Sequence, residues 1–228
     1  MGKKEKNIKL AYFFLIAGIF IIFFEIICFM LHKNLTLSGR LIFPAVSCIF
    51  VYIGCFLIIR VYTEQKEAVR KILITICTLN YLLVLITTLF AYNSFGRGFR
   101  CFFTASTEYR TVYIYNCINF IPGRTILSYL QLKTNLFYTL INLLGNLAVL
   151  MPCAILLPNI FTSLRKMMCY SIVIVMLAIV IEIIQLLFMC GSVDIDDVIL
   201  NSLGSIGLYF IIYHSRLKKI IEKLFWVN

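Results

Sequence analysis

The hydrophobic positions of the chain fall into six long runs, at residues 10–31, 41–59, 72–92, 137–157, 167–189 and 195–213. Each is close to the roughly 20 apolar residues that carry a helix across a hydrocarbon core. The first run follows a basic start, but it is too long for the apolar part of a signal peptide and lacks a small-residue cleavage site, so it is expected to remain as a span. The pattern predicts an all-α polytopic membrane protein with six transmembrane helices.

The polar stretches between the runs are short, with one exception at residues 93–136. Connections beyond about 12–15 residues are usually functional or disordered. Here Phe99, Phe102, Phe103, Tyr109, Tyr113, Tyr115 and Phe120 argue against disorder, because aromatic rings suit the lipid–water interface. Within this loop, Asn119-Phe-Ile-Pro-Gly-Arg124 reads as a turn, and 125–133 as a short interfacial or re-entrant helix. A charged linker at 62–71 separates an N-terminal pair of spans, residues 1–71, from a four-span core, 72–214, which a basic tail, 215–228, follows. No internal repeat relates the halves.

Composition agrees with this pattern. Of 228 residues, 62% are hydrophobic and 14% charged, against roughly 25% charged in soluble domains, and the mean hydropathy is +0.97. The formal net charge of +11 does not point to nucleic acid, because the bases lie between apolar runs and no zinc, helix-turn-helix or RNA-binding pattern is present. Instead the charge gives orientation and attracts anionic lipid. Lys3, Lys4, Lys6, Lys9, Arg60, Lys66, Arg70, Lys71, Arg165, Lys166, Arg216, Lys218, Lys219 and Lys223 fall on one side of the six spans. That is two thirds of the 21 Lys and Arg, and it predicts that both termini are cytoplasmic and the long loop is outside. Nine cysteines without a CxxC, and two histidines, give no metal-ligand pattern. Cysteines inside the runs read as small core residues. Cys101, Cys117 and Cys190 would lie outside, where a disulfide is open. No oligomeric state follows from the sequence.

Polar residues inside the runs are the informative ones. Residues three and four apart share a helix face, so Glu182 and Gln185 project together from the fifth span, Asn142 and Asn146 from the fourth, and Asp197 and Asn201 from the sixth. At about 1.5 Å of rise per residue, all of them fall in the outer half of the bilayer. Asp194, Asp196 and Asp197 crowd the turn between the last two spans, and Asp194 or Asp196 suits the N-cap of the sixth. An ionised acid as deep as Glu182 costs roughly 2.5 kcal/mol or more, so it is expected either to be paired, for example with Arg110 or Arg124, or to be protonated. The amides have an equally simple use as helix–helix hydrogen bonds, and Asn80, mid-span, is expected to serve as such a contact. Gly204, Ser205 and Gly207 suit close helix packing. Glu25 could serve the pocket or a helix interface.

Asn119-Phe-Ile-Pro122, Asn142-Leu-Leu-Gly-Asn146 followed by Pro152 and Pro158, Glu182-Ile-Ile-Gln185, and Asp194-Ile-Asp-Asp197 leading to Asn201 and Gly204 together resemble the VanZ-like membrane proteins, named for a teicoplanin-resistance factor. The likeness covers roughly residues 72–214. It departs from the family pattern at Gly123, where an aromatic often follows the proline, and at Cys190, Gly191 and Ser192, where an arginine commonly precedes the acidic turn. The resemblance implies a protein of the bacterial cytoplasmic membrane with a cell-envelope role and, for some members, reduced susceptibility to glycopeptide or lipoglycopeptide antibiotics.

Two functional classes follow. In the first, an outward polar pocket binds a lipid-linked or lipophilic ligand, such as a cell-wall precursor or a lipophilic antibiotic, among the membrane lipids. Arg110, Asn119, Pro122, Arg124, Asn142, Asn146, Gln185 and Asn201 would be its contacts. In the second, an intramembrane hydrolase or transferase acts on a lipid or cell-wall precursor, with Glu182, Asp194, Asp196 and Asp197 as catalytic candidates. Acids without histidine favour magnesium or calcium over zinc. No GxSxG, HExxH or Cys/His pattern is present, and no cofactor is identified. Transport lacks its expected signs, paired broken helices and polar groups through the cytoplasmic half.

Overall fold

The computed structural model describes residues 3–30, 37–89, 101–130 and 136–224. It is all-α apart from one two-residue parallel bridge, and six segments among the described residues are long and apolar enough to cross a membrane. The chain divides into two units, residues 1–88 with 222–228, and residues 89–221.

The first unit contains α1 (Lys3–Met30), α2 (Leu37–Val61) and α3 (Lys66–Leu89). Lipid is as apolar as leucine, so helices in it associate through close packing rather than water exclusion. The α1–α2 contact uses small residues for this. A methyl group built on Gly18 would lie 2.8 Å from the Val51 side chain, and one on Gly54 would lie 2.7 Å from Leu15. Phe14 and Phe50 meet edge to face at 5.5 Å, and Ser47 Oγ donates to the Gly18 carbonyl at 3.0 Å. Val69 and Leu73 of α3 share a buried cluster with Val51 and Cys55. Asn80, expected as a helix–helix contact, donates through Nδ2 to the Pro44 carbonyl at 3.0 Å. Phe13, Phe20 and Phe23 stay exposed, which suits lipid contact.

The second unit is built on α8 (Met167–Phe188) and α9 (Ile195–His214). On α8, Tyr170, Ile174, Ala178, Ile181, Glu182 and Gln185 are buried at helical spacing. The fourth run is a single span by hydropathy, but it folds as two helices, α6 (Leu136–Val149) and α7 (Cys153–Ile160). Pro152 lacks the N–H that would continue the α6 ladder, and residues 150–152 form a turn. The Leu150 carbonyl at this break accepts from Ser205 Oγ at 2.8 Å, and Tyr170 Oη lies 2.6 Å from the same hydroxyl. Gly204 lies so close to α6 that an added methyl would collide with the Leu147 carbonyl. The packing use expected of Gly204 and Ser205 is what the helices show, whereas Gly207, expected to serve the same way, has open space where a methyl would sit. Tyr209 stacks on Tyr170 at 4.2 Å and on Tyr213 at 4.4 Å, and its hydroxyl donates to the Arg165 carbonyl at 2.6 Å.

The long connection holds two short helices, α4 (Thr107–Cys117) and α5 (Arg124–Leu130). α5 begins within a residue of the helix start expected at 125. α4 has no strong apolar periodicity to announce it. A final short helix, α10 (Leu217–Leu224), follows α9.

Candidate functional site

The acidic turn after α8 is set by the way that helix ends. Met189 adopts a left-handed conformation, φ 47°, which lets its own N–H and that of Cys190 turn back to the last carbonyls of α8, the Cys190 N–H reaching Gln185 O at 3.1 Å. The chain then pairs in parallel with the loop, Ile118 opposite Val193 and Asn119 opposite Asp194. Tyr113 of α4 fastens the same corner, its hydroxyl donating to the Gly191 carbonyl at 2.8 Å. Burial pushes the Tyr113 phenol above its ordinary value, and the nearby Cys117, Cys190 and Glu182 push the same way. Burial also raises the Cys117 thiol. All nine cysteines are free thiols, Cys101, Cys117 and Cys190 included.

Asp194 is the N-cap of α9, accepting the Asp196 N–H at 2.9 Å on Oδ1. The same oxygen accepts from Asn119 Nδ2 at 2.9 Å, while Oδ2 accepts the Thr125 hydroxyl at 2.5 Å. The Asp194 N–H in turn donates to Glu182 Oε2 at 3.0 Å. Glu182 is thus a buried acceptor beneath the turn.

Asp196 has a different target. It lies in the first turn of α9, yet its carboxylate caps the beginning of α5, about seventy residues earlier in the chain. Oδ1 accepts the Gly123 N–H at 2.5 Å, and Oδ2 accepts those of Thr125 at 2.8 Å and Ile126 at 3.1 Å. These are N–H groups that a helix start leaves without internal partners, where the helix dipole also favours an anion. Asp196 is fully buried. Gly123 sits at φ +82°, a backbone conformation that glycine adopts at little cost, and this turn delivers its N–H to the carboxylate. Asn119 Oδ1 holds the inside of the turn by accepting the Ile121 N–H at 3.1 Å. Asp194 and Asp196 therefore each receive three hydrogen bonds, close to the four that a carboxylate accommodates.

Asp197 points to another neighbour. Its Oδ1 accepts a short hydrogen bond from Asn146 Nδ2 of α6, and the side chain is half-buried. Asn142 lies one turn from Asn146 and is exposed. Asn201, one turn below Asp197, is 3% exposed, and its Oδ1 has no hydrogen-bond partner among the described residues. Ser202 Oγ beside it is in the same state. Gln185 is buried on α8, while Pro122 and Arg124 are exposed at the loop tip. Arg110 packs with its own segment, its guanidinium 5.9 Å from the centre of the Phe102 ring and Nη2 3.4 Å from the Thr107 hydroxyl.

Eight of the twelve sequence candidates thus fall in two polar groups joined through α9, and Arg110, Pro122, Arg124 and Gln185 lie in neither. Asp194, Asp196 and Asn119 fasten the loop, with Glu182 beneath the turn; Asn146 and Asp197 bond across α6 and α9, with Asn142 and Asn201 one turn away on the same two helices. Tyr113, Gly123 and Thr125 were not among the candidates, although a glycine after proline at a helix start is a signal for an anchored turn. Among the described residues, no three His, Cys, Asp or Glu side chains converge as a group of metal ligands.

A family model described as VanZ/LLP1 matches residues 78–218. Neither a curated protein nor a solved structure matches the chain.

Proposed function

This chain belongs to the VanZ/LLP1 family, and from that membership we propose that it binds the polar head of a lipid-linked or lipophilic ligand in the outer half of the bacterial cytoplasmic membrane. Binding lowers susceptibility to glycopeptide or lipoglycopeptide antibiotics. The membrane-spanning character is common ground, with six apolar segments among the described residues. The orientation, both termini cytoplasmic, draws support from the excess of Lys and Arg on one side of the spans.

What carries this is the Asn201 Oδ1. A buried amide oxygen without a donor costs about 1–3 kcal/mol, and it is retained here one helical turn from Asp197, which accepts from Asn146. A ligand hydroxyl or amine would relieve that cost. Asn142 and Asp197 add polar contacts at the more open end, and Arg124 at the loop tip suits an anionic head. Asp194, Asp196, Glu182 and Asn119 position the loop over this side instead of meeting the ligand.

An intramembrane hydrolase or transferase acting on a lipid or cell-wall precursor is the second reading, favoured by the half-buried Asp197 carboxylate in the same group. It would use Asp197 as base, because the oxygens of Asp194 and Asp196 are engaged by the loop. The test is glycopeptide and lipoglycopeptide susceptibility in cells carrying wild type, Asn201→Ala, Asn146→Ala, Asp197→Asn or Arg124→Ala, with native mass spectrometry of lipid-derived ligands on each purified protein. Loss of one hydrogen bond to a polar or charged group should weaken binding about 10-fold or more. Unchanged susceptibility together with unchanged ligand occupancy in all four variants would sink the binding reading. A lipid product that accumulates with wild type and not with Asp197→Asn would favour the enzyme.

A further inference from the structure

The last described helix is not explained by the polar site. α10 (Leu217–Leu224) begins three residues after α9 ends at His214. At about 100° per residue, Leu217, Ile220 and Ile221 share one narrow face, and Leu224 continues the spacing in the sequence. Lys218, Lys219, Glu222 and Lys223 occupy the opposite arc, with Arg216 just ahead of the helix. Leu217 is 41% exposed and Ile220 53% exposed. An eight-residue helix with such a separation has little reason to persist in water, where helices shorter than about 12–15 residues are marginal.

We propose that α10 is an interfacial anchor that lies on the anionic head-group layer of the membrane crossed by α9, its apolar face entering the acyl boundary and its lysines contacting acidic lipid. Two observations choose this occupant. The connection is too short for the helix to leave the interface, since three residues reach at most about 10 Å. The charge is complementary, four bases against one acid over residues 216–223, in the arrangement of an amphipathic helix that binds anionic lipid. Ordinary positive-inside bias requires the bases but not their confinement to one arc of a helix. The anchor is independent of the ligand pocket and stands whichever reading of that pocket holds.

The chain supplies its own probe, because Trp226 is its only tryptophan and lies two residues past the helix in sequence. The full chain is placed in nanodiscs of phosphatidylcholine alone or of phosphatidylcholine mixed with phosphatidylglycerol. Trp226 emission, its quenching by acyl-brominated lipid and hydrogen exchange over residues 217–224 are then recorded. Anionic discs should shift the emission to shorter wavelength, increase quenching and slow exchange at 217–224 about 10-fold or more, with high salt reversing the difference. Each lysine near the surface is worth about fivefold in partitioning, so Lys218→Gln, Lys219→Gln and Lys223→Gln together should abolish the dependence on phosphatidylglycerol. Ile220→Lys should raise exchange in both kinds of disc. Inorganic phosphate added to phosphatidylcholine discs should leave every reading at the level without anionic lipid. Exchange at 217–224 that is equal in the two lipid compositions for wild type would overturn the proposal, as would a triple variant that keeps the wild-type response. A response to phosphate equal to that to phosphatidylglycerol would overturn the lipid assignment.

Discussion

The α1–α2 pair and the α8–α9 hairpin are both helix pairs of membrane-spanning length, but they are held by opposite means. α1 and α2 meet through Gly18, Gly54 and the Phe14–Phe50 edge contact, with the Ser47–Gly18 hydrogen bond as a polar stitch. The α8–α9 hairpin places Asp194 and Asp196 at its tip and uses them to take hold of a loop that comes from elsewhere in the chain, while Glu182 holds the turn from inside α8. Packing of small residues brings two helices close, and the third helix of that unit joins them through the Val51–Leu73 cluster and the hydrogen bond from Asn80 to the Pro44 carbonyl, neither of which involves a carboxylate. Carboxylates fix the loop, because each oxygen accepts from a defined direction, at the cost of burying charge that must then be fully satisfied.

The contrast is sharpest at Asp196. Asp196→Ala should unfold the α5 turn, because it strands three N–H groups around a buried site, and should cost about 3 kcal/mol or more. Thermal unfolding of the purified protein in detergent would measure it, with Asp196→Asn intermediate because one acceptor oxygen survives. A change below about 1 kcal/mol would mean that water replaces the carboxylate and that the two helix pairs differ less than their contacts suggest. Gly204→Ala comes next, at about 1–3 kcal/mol by overpacking, since the added methyl meets the Leu147 backbone rather than a side chain that can turn. Gly54→Ala should cost less in the same assay, because its nearest obstacle is the Leu15 side chain. Equal costs at the two glycines would remove that distinction.

Tyr113→Phe should cost about 1 kcal/mol, the value of a buried hydrogen bond, here the one to Gly191. It also carries a pH signature. The folded protein holds the phenol proton more tightly than the unfolded chain, so this contribution is complete below the ordinary phenol value of about 10. It fades as the pH rises from there through the higher folded value. The wild type should therefore lose stability in alkali more steeply than Tyr113→Phe in a series of pH-dependent melts. The smallest effect belongs to the first helix pair: Glu5→Gln removes the exposed Lys9–Glu5 contact and should move stability by less than about 0.5 kcal/mol.

The sequence discloses the spans because their signal is local. Length and hydropathy suffice for α1, α2, α3, α8 and α9, and the shared faces of Glu182 with Gln185 and of Asp197 with Asn201 follow from helix spacing alone. The break at 150–152 is hidden because hydropathy runs straight through Leu150 and Met151 and resumes after Pro152. α4 is hidden because Thr107–Cys117 mixes tyrosines with polar residues and lacks an apolar stripe. The purpose of the acids was the least legible part. Either Asp194 or Asp196 suited the cap of α9, and Asp194 takes that place; that Asp196 caps α5 instead depends on two distant segments meeting, which no spacing reports. Likewise Glu182 called for a partner, but a backbone N–H has no letter in the sequence.

The pairing of Asn119 with Asp194 spans 75 residues, and it imposes an order on synthesis. At roughly 5–20 residues per second, Asn119 is made several seconds before the acid that will hold it. Throughout that interval the α5 start has no carboxylate, and water must serve its N–H groups. The loop is thus a late joint, closed only when the last hairpin arrives, and a chain halted before residue 194 should leave 118–126 open to added protease while the earlier spans are already protected.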